Sequence, residues 1–161
     1  MSRLAFVLSL VCLCSVEGKA LAGWQGVDWG ASEPEAIAKF QLPMQPFHGE
    51  DPGGLAKQDD GTAKFTFHYA LNSYNFDGFI LFKDNVVSGI RLDTKESGAC
   101  ASAQNLLTAS HGMPDQVLSG QVSIPTWLDS KNSNRYRLID VDVIHWCTVI
   151  IDRLPETHQT L

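Results

Sequence analysis

The sequence predicts an α+β fold: an antiparallel sheet of six to seven strands with two helices packed on one face, in the order helix, strands, helix, strands. Three observations predict it. Two windows, 33–40 and 97–111, carry helix start and stop residues around helically spaced apolar positions. The stretches that follow each window alternate apolar and polar residues with a period of two. Short turns rich in Asn, Asp and Ser separate those stretches, which favours antiparallel neighbours over long crossovers.

The first 22 residues are set apart from the fold as an export signal, with Arg3, the apolar run Leu4 to Val16, and the small-x-small site Ala20-Leu21-Ala22 before Gly23. The 13 apolar residues of that run fall short of the roughly 20 that a membrane-spanning helix requires. Cys12 and Cys14 follow Val11 and Leu13, not the small residue expected before a lipidated cysteine, so no stable membrane anchor is expected after cleavage. Loss of Arg3, Lys19 and Glu17 from 12 basic and 18 acidic residues leaves 10 and 17, a formal charge of -7 on residues 23–161. That balance argues against a nucleic-acid binder, which needs a basic face to displace phosphate counterions. It also disfavours an anionic membrane and suits solubility or a basic protein partner. A chain of 139 residues predicts a single domain.

Read as one strand, Trp24 to Trp29 places Trp24 and Asp28 on one face and Val27 and Trp29 on the other, so the two indoles do not form one patch. Trp29 is assigned to the core and Trp24 is kept as a candidate partner contact. Ser32 and Glu35 form a capping box, and Pro34 sits in the first turn, where its missing N–H costs nothing. A helix from Glu33 to Phe40 follows, with Ile37 and Phe40 as its apolar contacts and Pro43 as its stop.

Residues 41–61 hold Pro43, Pro46, Pro52, Gly49, Gly53, Gly54 and Gly61, which predicts a long loop without regular structure. His48, Glu50 and Asp51 in it are candidate partner contacts. With Asp59 and Asp60 they match neither a calcium-loop nor a zinc spacing, so no metal site is predicted. No cofactor motif occurs in the chain.

A strand over 62–71 points Ala63, Phe65, Phe67, Tyr69 and Leu71 inward and leaves His68 exposed. Strands 76–83 and 86–93 complete a meander through Asn72 to Asn75 and Asp84-Asn85. The second helix, 97–111, places Cys100, Ala103 and Leu107 at helical spacing and ends at Gly112 and Pro114. Gln116 to Ile124 alternates weakly and Pro125 limits it to an edge or bend. Trp127-Leu128 and Tyr136 to Ile139 flank the polar loop Asp129 to Asn134. The last strand is predicted over 139–152, its odd positions Ile139, Val141, Val143, His145, Cys147, Val149 and Ile151 sharing one buried face.

Cys100 and Cys147 are the two cysteines beyond the signal, and an exported chain favours their pairing. A helix lying on the sheet would bring them together, closing a loop of about 48 residues worth on the order of 4 kcal/mol. The alternative makes Cys100 a nucleophile at a helix start with His145 as its base. Cysteine on a helix, then histidine on a strand, resembles papain-like and cell-wall peptidase folds. Ser97-Gly98-Ala99-Cys100-Ala101-Ser102 lacks their local signatures, and His145 then reads as a core-edge histidine.

Trp29-Gly30-Ala31-Ser32 with Pro34-Glu35, then a meander, then Leu106-Leu107 leading to His111-Gly112-Met113-Pro114, resembles small exported bacterial domains of unknown function. Those domains have a Trp-Gly-x-Ser helix start and an aromatic-Gly-x-Pro helix stop; His111 takes the aromatic position here. The resemblance implies a periplasmic or secreted location and an interaction role, and transfers no catalytic residue. Gly-x-Ser-x-Gly, phosphate-binding, dinucleotide and His-Glu-x-x-His motifs are missing, and Asp140 and Asp142 read as a solvated strand face. The sequence thus favours a non-catalytic protein-binding module, of inhibitor or immunity type against a secreted or wall-acting enzyme. A cysteine hydrolase and an envelope-assembly factor are the alternatives.

Overall fold

The computed structural model describes residues 23–49, 61–118 and 123–155. Residues 1–22, where an export signal is expected, and Glu50, Asp51, Asp59 and Asp60 lie outside the described residues. Among those described, the chain forms β1 (Gly23–Trp24), β2 (Val27–Asp28), α1 (Glu33–Lys39), β3 (Met44–Pro46), β4 (Thr62–Leu71), β5 (Tyr74–Lys83) and β6 (Val86–Thr94). The second half adds α2 (Ala99–His111), β7 (Gln116–Leu118), β8 (Ile124–Asp129), β9 (Asn134–Val141) and β10 (Trp146–Arg153). The class is the predicted α+β. The sheet, however, has eight antiparallel strands among the described residues, in the order β3-β4-β5-β6-β10-β9-β8-β7, with β1 and β2 forming a separate ribbon.

That order has a simple logic. Each half is a helix followed by a four-strand meander, and the halves meet through their last strands, β6 and β10. Both helices lie on the same side. Ala36 of α1 and Ala99, Cys100, Ala103 and Leu107 of α2 share one core with Phe65, Phe67, Phe76, Leu92, Val149 and Ile151. Each large side chain buried there contributes about 1.5–3 kcal/mol. Phe67 is admitted by Gly78, its cross-strand partner: a Cβ on Gly78 would lie 2.3 Å from the Phe67 ring.

Four expectations need correction. Trp24 to Trp29 is not one strand but a hairpin, because Gln25 and Gly26 take φ 49° and 83°, the pair of positive values that a tight two-residue hairpin turn needs. Met44–Pro46 inside the expected loop forms edge strand β3, where the N–H that Pro46 lacks is dispensable. Ile37 is 50 % exposed, and the buried residue of α1 is Ala36. Its predicted cap is present: the Glu35 carboxylate accepts from the Ser32 hydroxyl at 2.6 Å and from the Ser32 backbone N–H at 2.8 Å.

The fourth correction changes the sheet. The alternation from Ile139 to Ile151 conceals a turn, a short 3-10 stretch at Asp142–Ile144 followed by His145 with φ 53°. Val141 pairs with Trp146, so four turn residues separate partners that share a face, and the parity of inward positions flips across the turn. Cys147, Val149 and Ile151 still face the helices, now opposite Asp140, Leu138 and Tyr136. Ile139 pairs with Thr148 on the other side. A bulge between Ala63 and Phe65 acts similarly in β4, moving Ala63 to the second face beside Phe79 and Leu81.

Candidate functional site

The second face of the sheet carries no helix among the described residues, and strand pairing sets what lies on it. Facing away from α1 and α2 are Asp77, Phe79 and Leu81 of β5, Arg91 and Asp93 of β6, Thr148, Ile150 and Asp152 of β10, and Arg135, Arg137 and Ile139 of β9. The register sets them in rows: His68, Asp77, Asp93, Thr148 and Ile139 in one, and Thr66, Phe79, Arg91, Ile150 and Arg137 in the next.

These rows place charges where they are largely removed from water. Arg91 is 2 % exposed and its guanidinium lies 4.7 Å from the centroid of the Phe79 ring. Its Nε stands 3.0 Å from Asp93 Oδ2, an ion pair whose alignment is not that of a directed hydrogen bond. The other oxygen of Asp93 accepts from the Thr148 hydroxyl at 2.8 Å, and Thr148 Oγ1 accepts from Trp146 Nε1 at 2.8 Å. Lys95 Nζ lies 4.9 Å from the centroid of the Trp146 ring. Nearer the other end of β10, Arg135 grips Asp152 through two 2.7 Å bonds and Arg137 adds a third at 2.6 Å. A buried charge is tolerated only with such partners.

Alongside this network runs a groove in two parts. One part, of about 490 Å³, lies between Asp77 and Phe79 on one side and Asp93, Lys95, Glu96 and Trp146 on the other. The other part, of about 470 Å³, extends past Thr66 to Met44 and Phe47. His68, Asp77 and Phe79 line both, so the two parts are adjacent. His68 Nδ1 and Asp77 Oδ1 are 3.4 Å apart at the exposed centre of this line. The groove is thus lined by the rings of Phe47, Phe79 and Trp146, by the Thr66 hydroxyl, which donates to the Gly78 carbonyl at 3.0 Å, and by the charged groups of Asp77, Glu96 and Lys95.

The residues singled out from sequence fall elsewhere. Cys100 and Cys147 stand at disulfide distance with Cα atoms 5.2 Å apart, both buried, joining α2 to β10. A sulfur so bonded has no thiolate with which to attack. His145 is not at the core edge but exposed at the tip of the β9–β10 turn. Asp140 lies in β9 and Asp142 in the turn, not on one strand face; partial desolvation first, then Asp142, raises the Asp140 carboxyl above its ordinary 3.8. His48 is exposed just beyond β3. Glu50 and Asp51 lie outside the described residues.

Trp24 is half-buried against Phe40, Phe67 and Tyr69. Trp29 donates from Nε1 to Asn134 Oδ1 at 2.8 Å. Among the described residues no group of three or more His, Cys, Asp or Glu converges to hold a metal ion.

Arg91, Asp93, Thr148, Trp146 and the Arg135, Arg137, Asp152 cluster were not singled out by motif. Their signal was present as a charged residue recurring at every second position within apolar strands, in Ile90-Arg91-Leu92-Asp93 and again in Arg135-Tyr136-Arg137-Leu138. Comparison with protein-family models, with curated proteins and with solved structures finds no match.

Proposed function

We propose that the chain is an exported protein-binding module without catalysis, of inhibitor or immunity type, directed at a basic secreted or wall-acting enzyme. The observation that carries this reading is the groove on the second face of the sheet, rimmed by Asp77 and Glu96 and walled by Trp146 and Phe79. Aromatic walls set among polar groups anchored to rigid strands are the usual makings of a protein-recognition surface. The formal charge of -6 would steer a cationic partner toward it. The Cys100–Cys147 pair suits an oxidising compartment.

The test is affinity capture from a periplasmic extract with the native protein and with the Asp77→Lys/Trp146→Ala variant as parallel baits. A stoichiometric basic partner retained by the native bait, lost from the variant, and bound more weakly as salt rises is the expected result. Equal recovery on both baits, or no stoichiometric partner at any salt, would remove the groove from the account.

A further inference from the structure

A second cavity, independent of that groove, lies on the helix side of the sheet. It is a crevice of about 160 Å³ roofed by α2 and bounded by the β1–β2 ribbon. Its floor is Leu92 of β6 and Val149 and Ile151 of β10. Since β4, beyond β5, and β9 lie on opposite sides of that pair of central strands, Tyr69 of β4 and Tyr136 of β9 line it from opposite directions. Each brings a second ring. Tyr69 meets Trp24 edge to face at 5.2 Å, and Tyr136 stacks on His111 at 4.8 Å.

Size and lining select the ligand. A dry apolar cavity of roughly 150 Å³ takes up one benzene-sized molecule. Rings flanked by rings gain from offset and edge contacts. Among the described residues no carboxylate, lysine or arginine lines the crevice, so a charged guest would lose its hydration without a counter-ion. One polar handle is built in. Tyr136 Oη accepts from Asn134 Nδ2 at 3.4 Å, and its own O–H donates to no acceptor among the described residues. Burial, the larger cause, raises the Tyr136 pKa above 10.0, so that hydrogen stays in place at neutral pH. Asn134 is itself fixed, accepting from Trp29 Nε1 at 2.8 Å and donating to the Gly23 carbonyl at 3.1 Å.

We propose that the crevice between α2, Trp24, Tyr69 and Tyr136 is a binding site for a small neutral single-ring aromatic molecule carrying one oxygen, of the phenol class. The ring packs among Trp24, Tyr69 and the aliphatic floor while the oxygen accepts from Tyr136.

The probe is p-cresol, titrated into the protein and followed by two-dimensional NMR. Saturable shifts at the Trp24 indole and at residues around Tyr136, with a Kd below about 1 mM, are expected. Ser110→Phe, which places a ring in the mouth from an exposed helix position, should abolish the shifts. Tyr136→Phe should weaken p-cresol about fivefold, the loss of one hydrogen bond, and leave toluene unchanged. If Ser110→Phe does not fold, Tyr136→Phe decides alone. No saturation up to the solubility of p-cresol, stronger binding of tetramethylammonium than of p-cresol, or equal weakening of cresol and toluene by Tyr136→Phe overturns the proposal.

Discussion

The Cys100–Cys147 link closes a loop within the second half of the chain, and its removal is the perturbation with the most clearly defined magnitude. The sequence separation of 47 residues implies about 4 kcal/mol of unfolded-state entropy in the chain-entropy model. Both cysteines are buried, at 6 % and 1 % exposure, so the link is enclosed by the core that it ties together. The Cys100→Ala/Cys147→Ala variant should therefore lose about 4 kcal/mol in urea unfolding and roughly 10 °C in Tm for a domain of this size. Its m value should rise, because an unfolded chain freed of the cross-link exposes more surface. Thiol counting on unfolded, unreduced protein should find neither Cys100 nor Cys147 reactive. Coincident urea midpoints for the native and double-alanine proteins would refute the reasoning, as would two reactive thiols in the unreduced chain.

Four further outcomes follow from named contacts. Gly78→Ala drives a Cβ into the Phe67 ring, and a loss of about 1–3 kcal/mol in urea unfolding is expected; native stability would show that the ring shifts freely. Asp152→Ala leaves Arg135 and Arg137 without their shared carboxylate, and about 3 kcal/mol should be lost, with a loss under about 0.5 kcal/mol contradicting the buried-pair account. Glu35 is held below 4.5 chiefly by the Ser32 hydroxyl and then by the Ser32 backbone N–H, so its contribution to stability is present above pH 4.5 and fades as pH falls through the depressed value. A carboxyl NMR titration of Ser32→Ala should find the Glu35 pKa moved part of the way back to 4.5, and an unmoved value would remove the hydroxyl as the cause. Asn134→Leu removes the acceptor of Trp29 Nε1 and the donor to Gly23, so that indole N–H should exchange with solvent at least tenfold faster; unchanged protection would mean the ribbon is held by packing alone.

The charges on the second face of the sheet owe their burial to strand order, which the sequence does not display. Arg91 and Asp93 in sequence are two charges on an ordinary amphipathic strand, and the default expectation is that they face water. They are buried because β6 is a central strand, flanked by β5 and β10, and centrality is set by how the two meanders join. The same holds for Thr148, which meets Asp93 only through a pairing between strands more than fifty residues apart.

Local chemistry written into the chain determined the elements that depend on it. Glu35 three residues after Ser32, Gly112 and Pro114 after His111, and Asp84-Asn85 between apolar runs each produce a cap, a stop or a turn from neighbours alone. The cysteine pair was likewise legible, because inward positions on one helix and one strand left few other places for two buried sulfurs. Tertiary structure alone decided what depended on parity and partners. A four-residue turn hidden in an unbroken alternation sent Ile139 to the face opposite Cys147, and a single bulge did the same to Ala63. Period-two patterning records only that successive residues face opposite ways; which way is inward is set by strand pairing, and that depends on contacts remote in sequence. Trp24 illustrates the difference. Its sequence left it an aromatic just after an expected cleavage site, whereas the fold seats it beside Tyr69 on the wall of a cavity that residues from β9 and α2 complete.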